Sequence, residues 1–548
     1  MEVKQAETSP RGAPPARPAI RAIRAARAAR VTRVVQGTRT VQGGRTVRRL
    51  RGGRTGVLGV TVLVPVLTML AVGLWGVERG SLWRDEGVTL QVARRSLPEI
   101  WHLLHSVDAV HGLYYLLMHA VLPAGAGEVA VRLPSVCAAA AAAELVAALG
   151  ARLARPRVGL WAGLLYAVTP FAGQYAQQGR SYALVAAGAA LSTLLFARAA
   201  ERPARRGPWC AYGAATAVTA LLHEHAVLLL AAHAVTLLLA RAGAPVWRAW
   251  TRTAAVAALA LVPLAVVSHR QAAQVGWLRP PDGAAVVRLL RDVTGPVLAV
   301  AAAELALAPL ALCGPWARRR TGRGARLPLP AVALPLLVVP PAVLLAVSQQ
   351  WPLYHERYVL YCLAGAPLLV AAGMERAARL AQVPCGPREL GALAVAGALI
   401  AGCAFWWQLP THRGDRTAGR GEDHAALAAV AAREVRPGDA VLYLPLIARR
   451  VRLAYPEAFR GTRDVALRVP GPASGTLYGR EADPAALRRA LADEDRLWVL
   501  TESGPLWRAA RGDGDGTERT KMRVLRRDFT RRAEYVMVGG SLRLYVRR

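Results

Sequence analysis

Charge is scarce in this chain, and acid is scarcer than base. Of 548 residues 19% are charged and 54% apolar, and 35 Asp and Glu stand against 70 Lys and Arg. So oily a composition excludes one soluble domain, and the length excludes a simple anchor, which leaves the polytopic membrane class. Cysteine is nearly absent. Cys137, Cys210, Cys313, Cys362, Cys385 and Cys403 fall in or beside apolar runs, with no C-x-x-C spacing and none after Cys403. No disulfide framework or thiolate metal site follows, and the six read as small packing residues. A short apolar stretch with a cleavage site is also missing, so no secretory signal is expected.

The positive surplus does not indicate nucleic acid. Residues 1–54 hold Lys4 and thirteen Arg against Glu2 and Glu7, and much of the rest lies in short loops between apolar runs. That placement follows the cytoplasmic bias of basic loops rather than a continuous phosphate-binding face. Residues 1–54 read as a basic disordered cytoplasmic tail, able to touch anionic lipid.

Apolar runs long enough to cross a bilayer are expected at 56–77, 133–154, 158–175, 182–199, 209–222, 226–240, 254–268, 293–314, 329–347, 358–373 and 390–407, about eleven spans in all. Basic loops recur at every second connection, at Arg152/Arg155/Arg157, Arg198/Arg202/Arg205/Arg206, Arg241/Arg248/Arg252, Arg318/Arg319/Arg320/Arg323/Arg326 and Arg376/Arg379/Arg388. With the N-terminal tail they mark the cytoplasmic side. The other connections then face outward, and they carry Asp85-Glu86, Gln177-Gln178-Gly179-Arg180, His223-Glu224-His225, 276–283 and 349–357. An odd number of spans also places 410–548 outside.

Within the first outer loop, 79–132, the stretches 87–95 and 112–122 are too short to cross and are expected as interfacial helices. The second, from His111 to His119, has an aromatic face suited to a lipid chain. After Trp407 the pattern changes. Helices at 424–435 and 483–491, strands at 440–444 and 496–500, and a hairpin over 536–545 turning at Gly539-Gly540 predict a small α/β domain at 410–548.

Transfer of a sugar from a lipid phosphate needs a base for the acceptor hydroxyl and positive or hydrogen-bonding groups for the departing phosphate. Asp85 suits the first role, with shielding from water expected to raise its pKa. Arg180 and Arg357 suit the second, because a guanidinium stays charged and matches phosphate through two N–H groups. The other reading of Asp85-Glu86 is a helix N-terminal cap. His223 and His225 would point apart on a helix, so both would ligate a metal only in an irregular loop, and a polar cap is preferred. The 349–358 stretch, with Tyr354, His355 and Arg357, is either an aromatic belt or a sugar and phosphate contact.

In order, these motifs are Trp83-Arg-Asp85-Glu86, then Asp108-Ala-Val-His111-Gly-Leu-Tyr114-Tyr115, Glu128-Val-Ala-Val-Arg132-Leu-Pro134-Ser135, Gln177-Gln178-Gly179-Arg180-Ser-Tyr182 and Glu356-Arg357-Tyr358. The set resembles the type C glycosyltransferase (GT-C) superfamily, in particular bacterial family 39 members similar to protein O-mannosyltransferases and the lipid A aminoarabinose transferase. The resemblance implies a polyprenyl-phosphate sugar donor, inversion at the anomeric carbon, and Asp85 as general base. Asp85 and Glu86 are therefore the candidate catalytic residues. Arg180, Arg357, Tyr182, His111 and Tyr354 are the candidate donor and phosphate contacts. The chain departs from the pattern where His111-Gly112 replaces a pair of prolines and where Gln178 stands in place of an acid.

The expected protein is thus a polytopic α-helical cell-membrane glycosyltransferase: tail 1–54, GT-C-like membrane domain 55–409, extracytoplasmic α/β domain 410–548. It would move a mannose-like sugar to a lipid, polysaccharide or protein acceptor. No metal site is assigned, and a divalent metal is not required by the sequence. The alternatives are a flippase for lipid-linked sugars or a non-catalytic scaffold. Against transport, no inverted repeat is visible and only Glu144 and Glu304 are charged well inside the spans.

Overall fold

The computed structural model describes residues 59–123, 125–313, 325–380, 402, 405, 406, 422–502 and 516–548. The tail 1–54, most of the 318–326 basic loop and nearly all of the 390–407 span lie outside them. Residues Thr61–Arg548 form one compact unit.

Among the described residues five helices are long and apolar enough to cross a membrane: Glu128–Leu153, Tyr182–Ala200, Ala244–Arg270, Leu329–Val347 and Glu356–Leu380. The pair Gly283–Thr294 and Leu298–Leu312, bent by 87°, makes a sixth if taken as one span, and Gly59–Leu74 and Glu224–Leu239 are shorter apolar helices. Ten of the eleven expected runs therefore meet helices, several of them below full crossing length, and the count of eleven is not reached among the described residues. The run at 158–175 is divided, into Pro156–Val168 and Pro170–Ala176. Pro170 has no N–H and pushes Thr169 out of the helical region, to φ −68°, ψ 124°. The Thr169 hydroxyl donates to the Leu165 carbonyl at 2.7 Å. Ala244–Arg270 starts ten residues earlier than the apolar run and carries Arg248 and Arg252 in its first turns. Its face bearing Val256, Leu259, Val262 and Val266 is exposed, as a lipid-facing surface requires.

Expected basic connections meet at one end of the bundle. Glu375 is paired with Arg157, with Arg155 at 3.0 Å and with Arg379 at 2.8 Å, while Arg152 reaches Glu201 at 2.7 Å. The polar clusters of the alternate loops meet at the opposite end. There the first loop folds into three short helices, Arg84–Ala93, Leu97–Leu104 and Gly112–Val121, the middle one not foreseen.

Beyond residue 421 lies a mixed sheet. Strands β1 (Ala440–Leu444), β2 (Arg463–Asp464), β3 (Leu467–Val469), β4 (Arg480–Glu481), β5 (Arg496–Glu502), β6 (Phe529–Met537) and β7 (Gly540–Arg547) follow in the chain. Five of them order as β2-β1-β5-β7-β6, with β1 parallel to both β2 and β5. Val441 and Tyr443 pack with Leu427 and Ala431 of the helix His424–Glu434. Ala440, Leu442 and Leu444 pack on the other face with Leu487, Leu491 and Val524. Covered on both faces, β1 is apolar at every position, as buried parallel strands are. The carboxyl end of β1 runs on to a short helix, Arg450–Ala454, that packs against Arg84–Ala93.

Candidate active site

The helix Arg84–Ala93 separates the two acids that the sequence sets side by side. Glu86 turns inward and is fully buried, with both oxygens on Arg132 at 3.0 Å. It also accepts the Gly179 N–H at 2.9 Å and, more loosely, the Trp83 N–H at 3.4 Å. Glu86 thus fills the capping role weighed for the pair, and its donors surround it. A catalytic role for Glu86 does not fit this burial, and the geometry makes it a positioning residue. Arg132, to which the sequence assigned no task, also gathers the carbonyls of Val77, Arg79, Gly80 and Ser81 at 2.7 to 3.4 Å. One guanidinium therefore shapes the whole connection from first helix to motif.

Asp85 turns the other way. Its Oδ2 accepts from Arg357 Nη1 at 3.3 Å, and Oδ1 lies 3.7 Å from Arg84 Nε. The Asp85 backbone carbonyl accepts from Arg180 Nη1 at 3.4 Å. Burial alone would raise its pKa, as expected, but the charges of Arg180, Arg357, Arg84 and Arg450 outweigh burial and hold the carboxyl below its usual range. The net shift is downward, a correction to the expected rise.

Arg357, at the entrance of the Glu356–Ala364 turn, is enclosed by aromatic rings. Trp83, Tyr182, Trp277 and Tyr358 all have ring centres 5.5 to 6.0 Å from its guanidinium carbon, and its buried Nε has no hydrogen bond among the described residues. Arg180 Nη2 donates to His111 Nε2 at 2.6 Å. Burial first, then the nearby Arg180, His223 and Arg357, hold the His111 pKa well below the usual imidazole range, which keeps the ring neutral with its proton on Nδ1, also buried and without a partner among the described residues. Asp85, Arg180, Arg357, His111 and Tyr182 thus come together. Tyr354 does not join them; its charged neighbours are Glu356, Asp292 and Arg288, and its hydroxyl is unpaired among the described residues.

Gln177 Nε2 lies 2.8 to 3.1 Å from the carbonyls of Val72, Gly73 and Trp75, so it caps the end of the Gly59–Leu74 helix. Gly179 is wedged between helices: its carbonyl accepts from Thr89, and an added Cβ would lie 2.2 Å from Val131 Cγ1. His223 is extended and His225 lies within the tight turn Glu224–Leu228, which brings their rings to 5.2 Å beside Tyr358. Among the described residues no group of three His, Cys, Asp or Glu gathers that could hold a metal.

The residues after 421 reach this loop directly. Tyr455 Oη accepts the Leu82 N–H at 2.9 Å and donates to Glu128 at 2.9 Å. His424 Nδ1 donates to the Leu82 carbonyl at 3.1 Å, and burial, followed by Arg450, lowers its pKa to about 4. Both backbone groups of Leu82, just ahead of the motif, are therefore clamped from more than 340 residues away. Arg450, buried, pairs with Glu422 at 3.1 Å and Glu502 at 2.5 Å. Sequence reasoning missed Tyr455, His424 and Arg450, because nothing local in the chain marks a partner so distant.

Residues 111–269 match the family model described as dolichyl-phosphate-mannose-protein mannosyltransferase. Among solved structures, the apo state of ArnT from Cupriavidus metallidurans is similar with a TM-score of 0.54 at 13% identity, over 90% of this chain and 98% of that one. The same protein bound to undecaprenyl phosphate gives 0.51 at 12% identity with the same coverage. The archaeal oligosaccharyltransferase AglB from Archaeoglobus fulgidus gives 0.43 at 12% identity, over 90% of this chain and 74% of that one. No curated protein matches the sequence. The resemblance to the GT-C superfamily drawn from motif order holds, and the chain is a multi-pass membrane protein with that fold.

Proposed function

We propose that this protein is a membrane glycosyltransferase that moves a mannose-like sugar from a polyprenyl-phosphate donor to an acceptor hydroxyl on the extracytoplasmic face, with inversion. The observation that carries the reading is Asp85, whose carboxylate accepts from Arg357 while its backbone carbonyl accepts from Arg180, each guanidinium with a buried Nε that has no hydrogen-bond partner among the described residues. In this reading the acceptor hydroxyl hydrogen-bonds to Asp85, which draws off its proton as the oxygen attacks the anomeric carbon. The bond from that carbon to the phosphate oxygen breaks, and Arg357 and Arg180 take up the charge that develops on the leaving phosphate. His111 Nδ1–H is a further donor toward the phosphate, and Tyr182 and the rings around Arg357 offer faces for the sugar.

The donor class is supported by the match to a family described by dolichyl-phosphate-mannose, and by similarity to a structure bound to undecaprenyl phosphate. The acceptor is a lipid, polysaccharide or protein hydroxyl. The decisive experiment incubates purified protein with a panel of radiolabelled polyprenyl-phosphate sugars and acceptor fractions. Label released from at least one donor onto an acceptor is expected. Movement of intact labelled lipid across a vesicle without transfer would replace the enzyme by a flippase.

A further inference from the structure

His223 and His225 stand beside the acid–arginine site. The tyrosine rings 5.7 Å (Tyr182) and 5.5 Å (Tyr358) from the Arg357 guanidinium carbon also flank the His223 ring, at 5.8 and 4.8 Å between centres. Arg357 in turn donates to Asp85 Oδ2 at 3.3 Å, so His223 and the partner of Asp85 share the same two neighbours. His225 lies nearly parallel to Tyr358, at 5.4 Å and 12°. The segment is pinned from two other elements. The Ser268 hydroxyl donates to Glu224 Oε2 at 2.7 Å, and the Tyr361 hydroxyl donates to the His225 carbonyl at 2.8 Å. Within the turn, the Ala226 N–H donates to the His223 carbonyl at 2.9 Å. Nδ1 of each ring is nonetheless buried with no hydrogen-bond partner among the described residues. Such an atom is costly to leave unmatched, and here two of them belong to rings 5.2 Å apart. Burial, then the charges of His225, Arg357 and Arg180, hold the His223 pKa well below the usual imidazole range. A neutral imidazole offers one N–H and one lone pair, and a hydroxyl can meet either.

We propose that His223 and His225 select the transferred sugar through hydrogen bonds to its ring hydroxyls, and that this sugar is neutral and hydroxylated rather than an amino sugar. The inference rests on the glycosyl-transfer reading and adds the substrate class to it. A sugar ring whose phosphate lies at Arg357 and Arg180, and whose face lies on Tyr182 and Tyr358, brings its hydroxyl edge to the histidines, because the same two tyrosines touch both Arg357 and His223. A neutral imidazole suits a hydroxyl there. An ammonium group would meet the like charges of Arg357 and Arg180, while Glu224, the acid of the segment, is engaged by Ser268. Neither histidine takes a proton in the transfer step, so both are specificity residues and Asp85 keeps the role of base.

The test compares full-length wild type with His223→Phe and His225→Phe on the polyprenyl-phosphate sugar that proves active in the donor panel, and on its singly deoxygenated and amino-deoxy analogues. Phenylalanine keeps a planar ring against the tyrosines and removes both nitrogens. Wild type should use at least one deoxy sugar with kcat/KM lowered roughly tenfold to a hundredfold, because the imidazole is then left without its partner. In the variants kcat/KM for the full sugar should fall to near that of the deoxy sugar, which itself loses little, so the preference collapses. His223→Gln keeps a donor and an acceptor and should recover part of that preference. An equal loss on both sugars marks a packing role and overturns the proposal, as does an undiminished preference in both variants. An amino-deoxy donor used better than the hydroxylated one also overturns it. So does a wild type indifferent to every single deoxygenation, an outcome that needs no variant to fold. Wild type inactive with every donor overturns the glycosyl-transfer reading itself, and that result is separately visible in the unmodified protein.

Discussion

Neighbouring acids in one helical turn perform different tasks here because a helix sends consecutive side chains about 100° apart. Asp85 faces the arginines, Glu86 the core. Asp85→Asn should therefore lower sugar transfer by about a hundredfold or more while the protein still inserts, as measured by initial rates on detergent-solubilised enzyme. Its native pKa is depressed, so its contribution to stability is present above the unfolded value and lost as pH falls through the native one. The Asn variant should melt below wild type at pH 7, and the gap should close in strong acid. Glu86→Gln should act on folding. It leaves Arg132 buried without its counter-charge, a loss of about 3–5 kcal/mol, read as reduced expression and thermal midpoint. Arg357→Lys keeps the charge but loses the planar fork and its packing against four rings, so donor KM should rise and turnover fall. Unchanged donor kinetics would leave Arg180 as the phosphate contact.

Among the elements, the connection 77–83 decides where the motif helix points, and it has little structure of its own. Arg132 holds it from the Glu128–Leu153 helix, and Tyr455 with His424 hold its last residue from the region after 421. Tyr455→Phe removes an acceptor for the Leu82 N–H and a donor for Glu128 while keeping the ring. A loss of one to two hydrogen bonds, about 1–3 kcal/mol, is expected, with turnover falling more than donor affinity. A kcat equal to wild type would show that the loop keeps its place without the clamp. Gly179→Ala is a sharper test of the packing. A methyl group 2.2 Å from Val131 forces the Gln177–Arg180 segment away from Glu86, and the variant should accumulate poorly in membranes.

For the whole molecule, the loops of one end carry the acid–arginine site and those of the other carry the Glu375 arginine cluster. If the basic end is cytoplasmic, a reporter active only in the cytoplasm and fused after Arg548 should be silent. Strong signal would reverse the orientation of the site. Because β1 delivers Arg450–Ala454 onto the motif helix, a chain ended at 409 should insert yet transfer no sugar, since it lacks Tyr455, His424 and Arg450.

What the sequence by itself determined is the membrane class, the grouping of polar motifs on alternate loops, and the strands of the region after 421. Each follows from local patterning: the length of apolar runs, the placement of arginines, and five consecutive apolar residues from Ala440 bounded by turn residues. Asp85, Arg180, Arg357, His111 and Tyr182 were legible because each stands in a short polar motif beside an apolar run. Only the tertiary structure decided which acid faces the arginines, that Gln177 caps a helix, that Pro170 divides a run, and that Tyr354 stands apart. It also decided the sign of the Asp85 shift. That sign depends on four positive charges from positions 84, 180, 357 and 450, and such a sum is fixed by distances in space, to which spacing along the chain gives no access.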